Sequence, residues 1–212
     1  LYGGEHAFLL DRYLAALESA GFKPVKVLSP LQSPINLFPY TFDTLREAID
    51  GLCQQAAEAV RSGCVLLLLT DQNCEPPLLP IHALLATGAV HHHLSKEGLR
   101  CNANLLVATA TARDSHQIAT LIGFGATAVY PYLSYAVLGD LCRSGQLDLA
   151  PDLAVKNYRK GIKKGLLKII SKMGISTVAS YRGAQLFEII GLDDEVVDCC
   201  FPGTPSRIQG AG

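Results

Sequence analysis

Apolar residues recur along this chain at two spacings, and the two alternate. Leu45, Ile49, Leu52, Ala56 and Val60 fall at helical period, with Thr44 and Glu47 at capping-box separation and Gly63 where the helix should close. Directly behind comes CVLLLLT, residues 64–70, an unbroken apolar run of strand length. A strand that is apolar on both faces must be covered on both, which is the condition of a parallel sheet flanked by helices.

The alternation continues. The pattern predicts a helix over 80–96, a strand ANLLVAT from Ala103, a short helix over 115–122 and a strand TAVYPY from Thr127. It then predicts a helix over 134–142, a long basic helix over 153–173, a short strand over 175–178 and a helix over 183–190. The expected fold class is α/β, with alternating strand-helix units, a parallel sheet and a partial (β/α)-barrel-like form. No internal repeat interrupts it. The first forty residues read differently: an amphipathic helix through Leu10, Leu14 and Leu17, then a stretch punctuated by Pro24, Pro30, Pro34 and Pro39. Such a segment is a connector or lid, with a soft boundary near Tyr40.

Composition narrows the picture only a little. At 212 residues and 49% hydrophobic, the chain can bury one sizeable core. Its 18 basic and 19 acidic side chains nearly cancel, so no global field draws it to nucleic acid or anionic lipid. The longest apolar run, residues 64–69, is far too short to span a bilayer, and no secretory leader is visible. Seven cysteines without a C-x-x-C pair indicate reduced thiols, hence a cytoplasmic setting. The adjacent Cys199 and Cys200 lack partner ligands for a metal, and on a strand they would face opposite ways.

Parallel α/β folds gather ligands at the carboxyl ends of strands, which nominates residues 70–72, 109–113, 130–132 and 176–182. Asp71 stands where a catalytic carboxylate could, although a turn or capping role is the commoner use of such an aspartate. Three other motifs invite chemistry and weaken on inspection. His91, His92 and His93 would fan out by about 100° each on a helix and cannot converge on one ion; one buried imidazole beside two surface ones is the plainer reading. The string GFGATA, residues 123–128, imitates a dinucleotide fingerprint, but it follows a helix and precedes a strand, which suits a tight turn. Lys160, Lys164, Lys168 and Lys172 recur at i+4 and form a cationic stripe opposite Ile162, Leu166, Ile169, Ile170 and Met173. Like charges at that spacing each cost a few tenths of a kcal/mol, so a neighbouring acidic domain, a bound anion or solvation should compensate.

Four blocks then carry a resemblance: NYRKGIKKGLLKIISKMGISTVASYRGAQLFEIIGL (157–192), GAVHHHLSKEGLRCNANLLV (88–107), ARDSHQIATLIGFGATAVYPYL (112–133) and CFPGTPSRIQGAG (200–212). In this order they resemble the large subunit of glutamate synthase, most nearly the bacterial NADPH-dependent type, from about Thr41 to the end. The resemblance implies an enzyme that converts glutamine and 2-oxoglutarate to two glutamates with reducing equivalents. An amidotransferase domain would release ammonia to a flavin barrel, and this chain is similar to the central domain between them. On that basis residues 1–40 are a poorly matching helix and connector, 41–192 the central-type domain, and 193–212 the start of the linker into the FMN barrel.

The same resemblance implies FMN and a 3Fe–4S cluster for the intact subunit and none bound by this segment. Its partners would be the amidotransferase domain, the FMN barrel, a β-helix and a small NADPH-oxidising subunit, with no nucleic acid and no membrane. Two departures stand out: Thr70-Asp71-Gln72 where the family shows Ser-Asp-Arg, and Ala108 where it carries a glutamate. No catalytic, cofactor or metal residue is assigned, and the isolated chain should be inactive. Candidate contacts with neighbouring domains or an ammonia route are Asp71, Arg113, Tyr130, Ser176, Ser180, Tyr181 and Arg182. Two other functions stay open: a free-standing phosphate- or flavin-binding α/β enzyme, and an anion-binding module using the stripe from Lys160 to Lys172.

Overall fold

A computed structural model describes residues 26–28, 33–34, 42–72 and 78–212. The expected N-terminal helix, most of the proline-rich stretch and Cys74 lie outside the described residues. Four parallel strands form the main sheet, in the order β1 (Lys26–Leu28), β3 (Leu66–Thr70), β5 (Asn104–Ala108), β6 (Ala128–Tyr130). A two-residue antiparallel pair, β2 (Ser33–Pro34) with β4 (Leu78–Leu79), lies apart from it.

Helices separate the strands as the periodicity predicts. α1 (Phe42–Arg61) buries Ile49, Leu52, Ala56 and Val60 against the sheet. Its first turn already contains Thr44, so the predicted capping box is not where the helix begins. Gly63, at φ 91°, closes it: Gly63 N donates to Val60 O and Cys64 N to Ala59 O, a Schellman turn that leads at once into β3. α2 (Ala83–Lys96) buries Ala86, Ala89, Val90 and Leu94; its buried Thr87 hydroxyl is satisfied by Ala83 O at 2.7 Å.

A short 3-10 turn (Arg100–Asn102) enters β5, and α3 (Ser115–Gly123) follows, capped by Asp114 Oδ1, which accepts from Gln117 N at 2.8 Å. Gly125, at φ 114°, ends α3 with Gly125 N donating to Ile122 O and Ala126 N to Leu121 O. The glycines of the fingerprint look-alike are therefore a helix C-cap. A Cβ on Gly125 would also collide with the His91 ring.

The second half is looser. α4 (Tyr132–Arg143) buries only Gly139, while Leu133 and Val137 stay exposed. α5 (Pro151–Lys172) opens with Pro at its first position and packs on α3, Gly165 meeting Ser115 so closely that no side chain would fit. Beyond it the predicted strand over 175–178 and helix over 183–190 are replaced. Thr177 accepts from Ser180 N at 3.2 Å and caps one helical turn, α6 (Val178–Tyr181).

Gly183 at φ 73° and Gln185 at φ 52° then break any helix, because their amides turn back to Ile122 O and Gly123 O at the end of α3. Tertiary hydrogen bonds override the local helical pattern there. The chain ends in a βαβ unit: β7 (Ile189–Leu192), α7 (Asp194–Cys200) and β8 (Ser206–Ala211), with β7 and β8 parallel. Cys199 and Cys200 thus sit on a helix rather than a strand. α7 docks on α2 where Gly88 leaves room for the Cys200 carbonyl and the Phe201 ring.

Candidate functional site

Asp71 leaves β3 at the carboxyl end of the sheet and is the hub of the polar groups there. Its Oδ2 accepts from Thr109 Oγ1 at 2.6 Å, its Oδ1 from Tyr132 Oη at 2.7 Å, and both oxygens from Ala110 N, at 3.1 and 3.2 Å. Asp71 N in turn donates to Ala108 O at 3.3 Å. These bonds tie the ends of β3 and β5 to the start of α4. A carboxylate so fully engaged is a structural clamp, not a free general base. His82, at the N-cap of α2, is held below the usual histidine range by burial, against the opposing pull of Asp71.

Four backbone donors at this end are taken by nearby side chains. Ala110 N serves Asp71 and Thr111 N donates to Thr109 Oγ1 at 3.1 Å. Arg113 N donates to Gln117 Oε1 at 2.7 Å, and Gln117 N is held by Asp114. At the α3 N-terminus itself, Gln117 N is thus held by the helix's own cap. The Arg113 side chain is exposed, and its carbonyl accepts from Tyr158 Oη at 2.9 Å.

The sequence-nominated residues divide between two ends of the sheet. Asp71, Arg113 and Tyr130 gather at the carboxyl end as expected. Residues 176–182 do not, because α5 carries the chain from Arg113 at that end down to the last turn of α3. Ser176 and Ser180 are exposed, and Arg182 donates to Thr127 Oγ1 at 3.3 Å, just before β6 begins. Tyr181 is fully buried among Phe187 and the core; burial pushes its phenol up to about 12, and its hydroxyl has no partner among the described residues.

At that amino end Arg100, which sequence reasoning did not single out, bolts three segments together. It donates to His91 Nδ1 at 2.9 Å, to Ala103 O at 2.5 Å and to Gly125 O at 2.7 Å. Burial, then the charge of Arg100, His92 and Arg182, holds the His91 imidazole down at about 4. His92 meets the Gln185 amide instead. The three neighbouring histidines thus serve separate local contacts, and among the described residues no group of three or more candidate ligands could hold a metal.

A third region lies beside β6. The rings of Tyr130, Tyr135 and Tyr158 step across it at centroid spacings of 5.5 and 5.8 Å. Burial raises the Tyr130 and Tyr135 phenols, with Arg159 opposing at Tyr135. Two adjoining hollows of about 510 and 690 Å³ open there, both lined by Val129, Tyr135, Lys156 and Arg159. The tyrosine ladder escaped sequence reading because its members lie on a strand and two helices.

A parallel sheet with interleaved helices and polar strand ends defines the α/β class shared with flavin oxidases. A mandelate oxidase variant carrying an FMN adduct superposes with a TM-score of 0.52 at 15% identity, over 84% of this chain and 59% of that one. A flavocytochrome b2 variant with sulfite bound gives 0.53 at 11% identity, over 96% and 58%. The family is narrower than the fold: the family model of the glutamate synthase central domain matches residues 8–193, and the chain belongs to that family.

It is 43% identical over 168 residues to the NADPH glutamate synthase large chain of Bacillus subtilis, covering 79% of this chain and 11% of that one. It is 42% identical over 165 residues to the NADH glutamate synthase of Schizosaccharomyces pombe, covering 77% and 8%. With the ferredoxin-dependent enzyme of Spinacia oleracea it shares 44% over 179 residues, covering 79% and 11%. The chain thus spans about a tenth of the length of these relatives. Among the described residues no helix is long and apolar enough to cross a membrane.

Proposed function

We propose that this chain is the central segment of a glutamate synthase large subunit, a scaffold set between a glutamine-hydrolysing domain and an FMN barrel and forming part of the wall along which ammonia passes. The observation that carries this reading is the family match over residues 8–193, combined with polar strand ends that are turned inward to Asp71 and Thr109. Such a segment contributes geometry. Holding two active sites at fixed separation keeps an intermediate from escaping and supplies proximity. FMN and a 3Fe–4S cluster belong to the rest of the subunit in this reading. The boundaries follow the same reading, with residues 193–212 leading toward the barrel and Ser176, Ser180 and Arg182 exposed for a neighbouring domain.

The test has two arms. The isolated 212-residue chain is expected to show no glutaminase activity, no glutamate formation and no flavin absorbance; stoichiometric flavin would favour a free-standing flavin enzyme. In the intact subunit, Tyr132→Phe is expected to leave glutaminase turnover in place while raising the ammonia released per glutamate formed. Unchanged coupling in a folded variant would count against a place on the ammonia route.

A further inference from the structure

The cysteines among the described residues are all free thiols, and Cys53, Cys199 and Cys200 gather where α1 approaches α7. Both helices pack on α2. Near the start of α1, Arg46 pairs with Glu195 in the first turn of α7 at 3.9 Å. Cys53 follows Arg46 by seven positions and Cys199 follows Glu195 by four, spacings that keep each pair on one helix face. Advances of about 10 and 6 Å along the two axes carry the thiols to neighbouring levels. Asp50, between Arg46 and Cys53 on α1, is felt by all three thiols, and Cys53 by both cysteines of α7.

The three thiols are not equivalent. Cys53 and Cys200 are buried, and Cys199 is partly exposed. The Cys200 S–H donates to the Cys199 sulfur and draws that thiol down to about 7. The same bond, and then burial, pushes Cys200 up. Burial, then the charge of Cys199, pushes Cys53 up to about 12. One sulfur can therefore ionise and meet solvent beside two that stay protonated. The thiolate is the form that attacks an oxidant.

Cys199 and Cys200 cannot pair with each other on an intact helix. Adjacent Cα atoms stand about 3.8 Å apart, short of the roughly 4.4–6.8 Å that a disulfide spans. The partner has to come from across the helix junction, where Cys53 stands.

We propose that Cys199 is a peroxide-reactive thiol and Cys53 its resolving partner, so that oxidation staples α7 to α1 through a disulfide. The Cys199 thiolate attacks one oxygen of hydrogen peroxide. An S–O bond forms, the O–O bond breaks, and the departing hydroxide takes up the proton that Cys199 gave, leaving as water. The Cys53 sulfur then attacks the sulfenic sulfur: the S–S bond forms, the S–O bond breaks, and the hydroxyl leaves with the Cys53 proton as a second water. Two thiols lose two electrons, and the peroxide gains them. Neutralising Cys199 in the first step also removes one of the influences that keep Cys53 protonated. In the reduced protein the ion pair between α1 and α7 is the exposed Arg46–Glu195 contact, a weak tie. The disulfide replaces it with a covalent one and fixes the terminal βαβ unit on the sheet domain.

The experiment uses the natural, full-length polypeptide, reduced, freed of reductant and exposed to hydrogen peroxide at neutral pH. Remaining thiols are blocked with N-ethylmaleimide, and peptides are mapped by mass spectrometry without reduction. A linked Cys53–Cys199 peptide is expected, and dithiothreitol should abolish it. In Cys53→Ala, dimedone is expected to trap Cys199 as the sulfenic acid. Cys199→Ser should slow oxidation of Cys53 at least about tenfold, because the buried thiol lacks the thiolate that peroxide needs.

In the wild-type protein, Cys199 recovered as a thiol, or carried past the sulfenic acid without a link, would overturn the proposal. So would a link from Cys199 to Cys200, to any other cysteine or to a second copy, and so would unchanged oxidation of Cys53 in Cys199→Ser. The wild-type map decides the pairing whether or not either variant folds.

Discussion

Tyr132 Oη donates to Asp71 Oδ1 at 2.7 Å across 61 positions of sequence, joining the start of α4 to the end of β3. Thr109, fully buried, donates to the other oxygen at 2.6 Å. Replacing Asp71 by Ala leaves Thr109 and Ala110 N without their acceptor in a site water reaches poorly. Asp71→Ala is expected to destabilise the domain by about 2–4 kcal/mol, and Tyr132→Phe by about 1–2 kcal/mol, since hydrogen bonds to charged groups contribute most. Urea unfolding midpoints at fixed m-value check both figures.

Gly88 presents a contest of signs. In an exposed helix interior, Gly→Ala would stabilise by roughly 0.5–1 kcal/mol. Here the added Cβ lands on the Cys200 carbonyl oxygen and the Phe201 ring, and a backbone oxygen cannot step aside. Gly88→Ala is expected to lose about 1–3 kcal/mol net through overpacking, read as a lowered thermal midpoint. A raised midpoint would show that α7 docks elsewhere.

The His91 ring, held neutral down to about 4, makes stability depend on pH. Between its folded value and the unfolded value near 6.5 the unfolded chain binds more protons, so stability rises with pH through that window. The contribution is fully present above about 6.5 and is lost as pH falls toward 4. Partial exposure of the ring screens it to roughly 1–2 kcal/mol. His82 and His92 are lowered in the same direction and reinforce the trend. His91→Gln is expected to flatten the profile between pH 4 and 6.5; an unchanged slope in denaturant titrations at stepped pH would remove the assignment.

Cys199 and Cys53 should differ sharply toward alkylating agents. A hydrogen bond from Cys200 draws the Cys199 thiol down to about 7, while burial pushes Cys53 up to about 12. Thiolate is the reactive form. Iodoacetamide labelling of Cys199, followed by peptide mass spectrometry, is expected to reach half its limiting rate near pH 7, with Cys53 unlabelled until the domain unfolds. Equal labelling of the two would contradict the environments described here.

Most of the sheet was legible because its strands are short apolar runs between amphipathic helices, and burial on both faces leaves few other arrangements. The family was legible too, since four motif blocks appear in one order. The segment from Ile175 to Ile190 was misread for a physical reason: its helical pattern is outweighed by amides from Gly183 and Gln185 that bond to the end of α3. The candidate residues were legible one by one but not as a constellation. Nothing local tells that α5 returns Ser176 and Arg182 to the opposite end of the sheet from Asp71. Arg100 carries no motif at all; its importance comes from the His91 ring and the Ala103 and Gly125 carbonyls that happen to converge on it.

The strand order β1-β3-β5-β6 also governs how the domain can be made. Each parallel pairing, such as Leu67 with Leu105 or Val107 with Val129, joins segments separated by a helix and its connections. Among the described residues no hairpin is available to start the main sheet, and closing such loops before any contact rewards them is slow. On the ribosome β3 can meet β1, already synthesised, along one edge, but its other edge waits for β5 to be made. That interval is when this domain is most exposed to aggregation, and α1, already long and amphipathic, is the first element able to shield it.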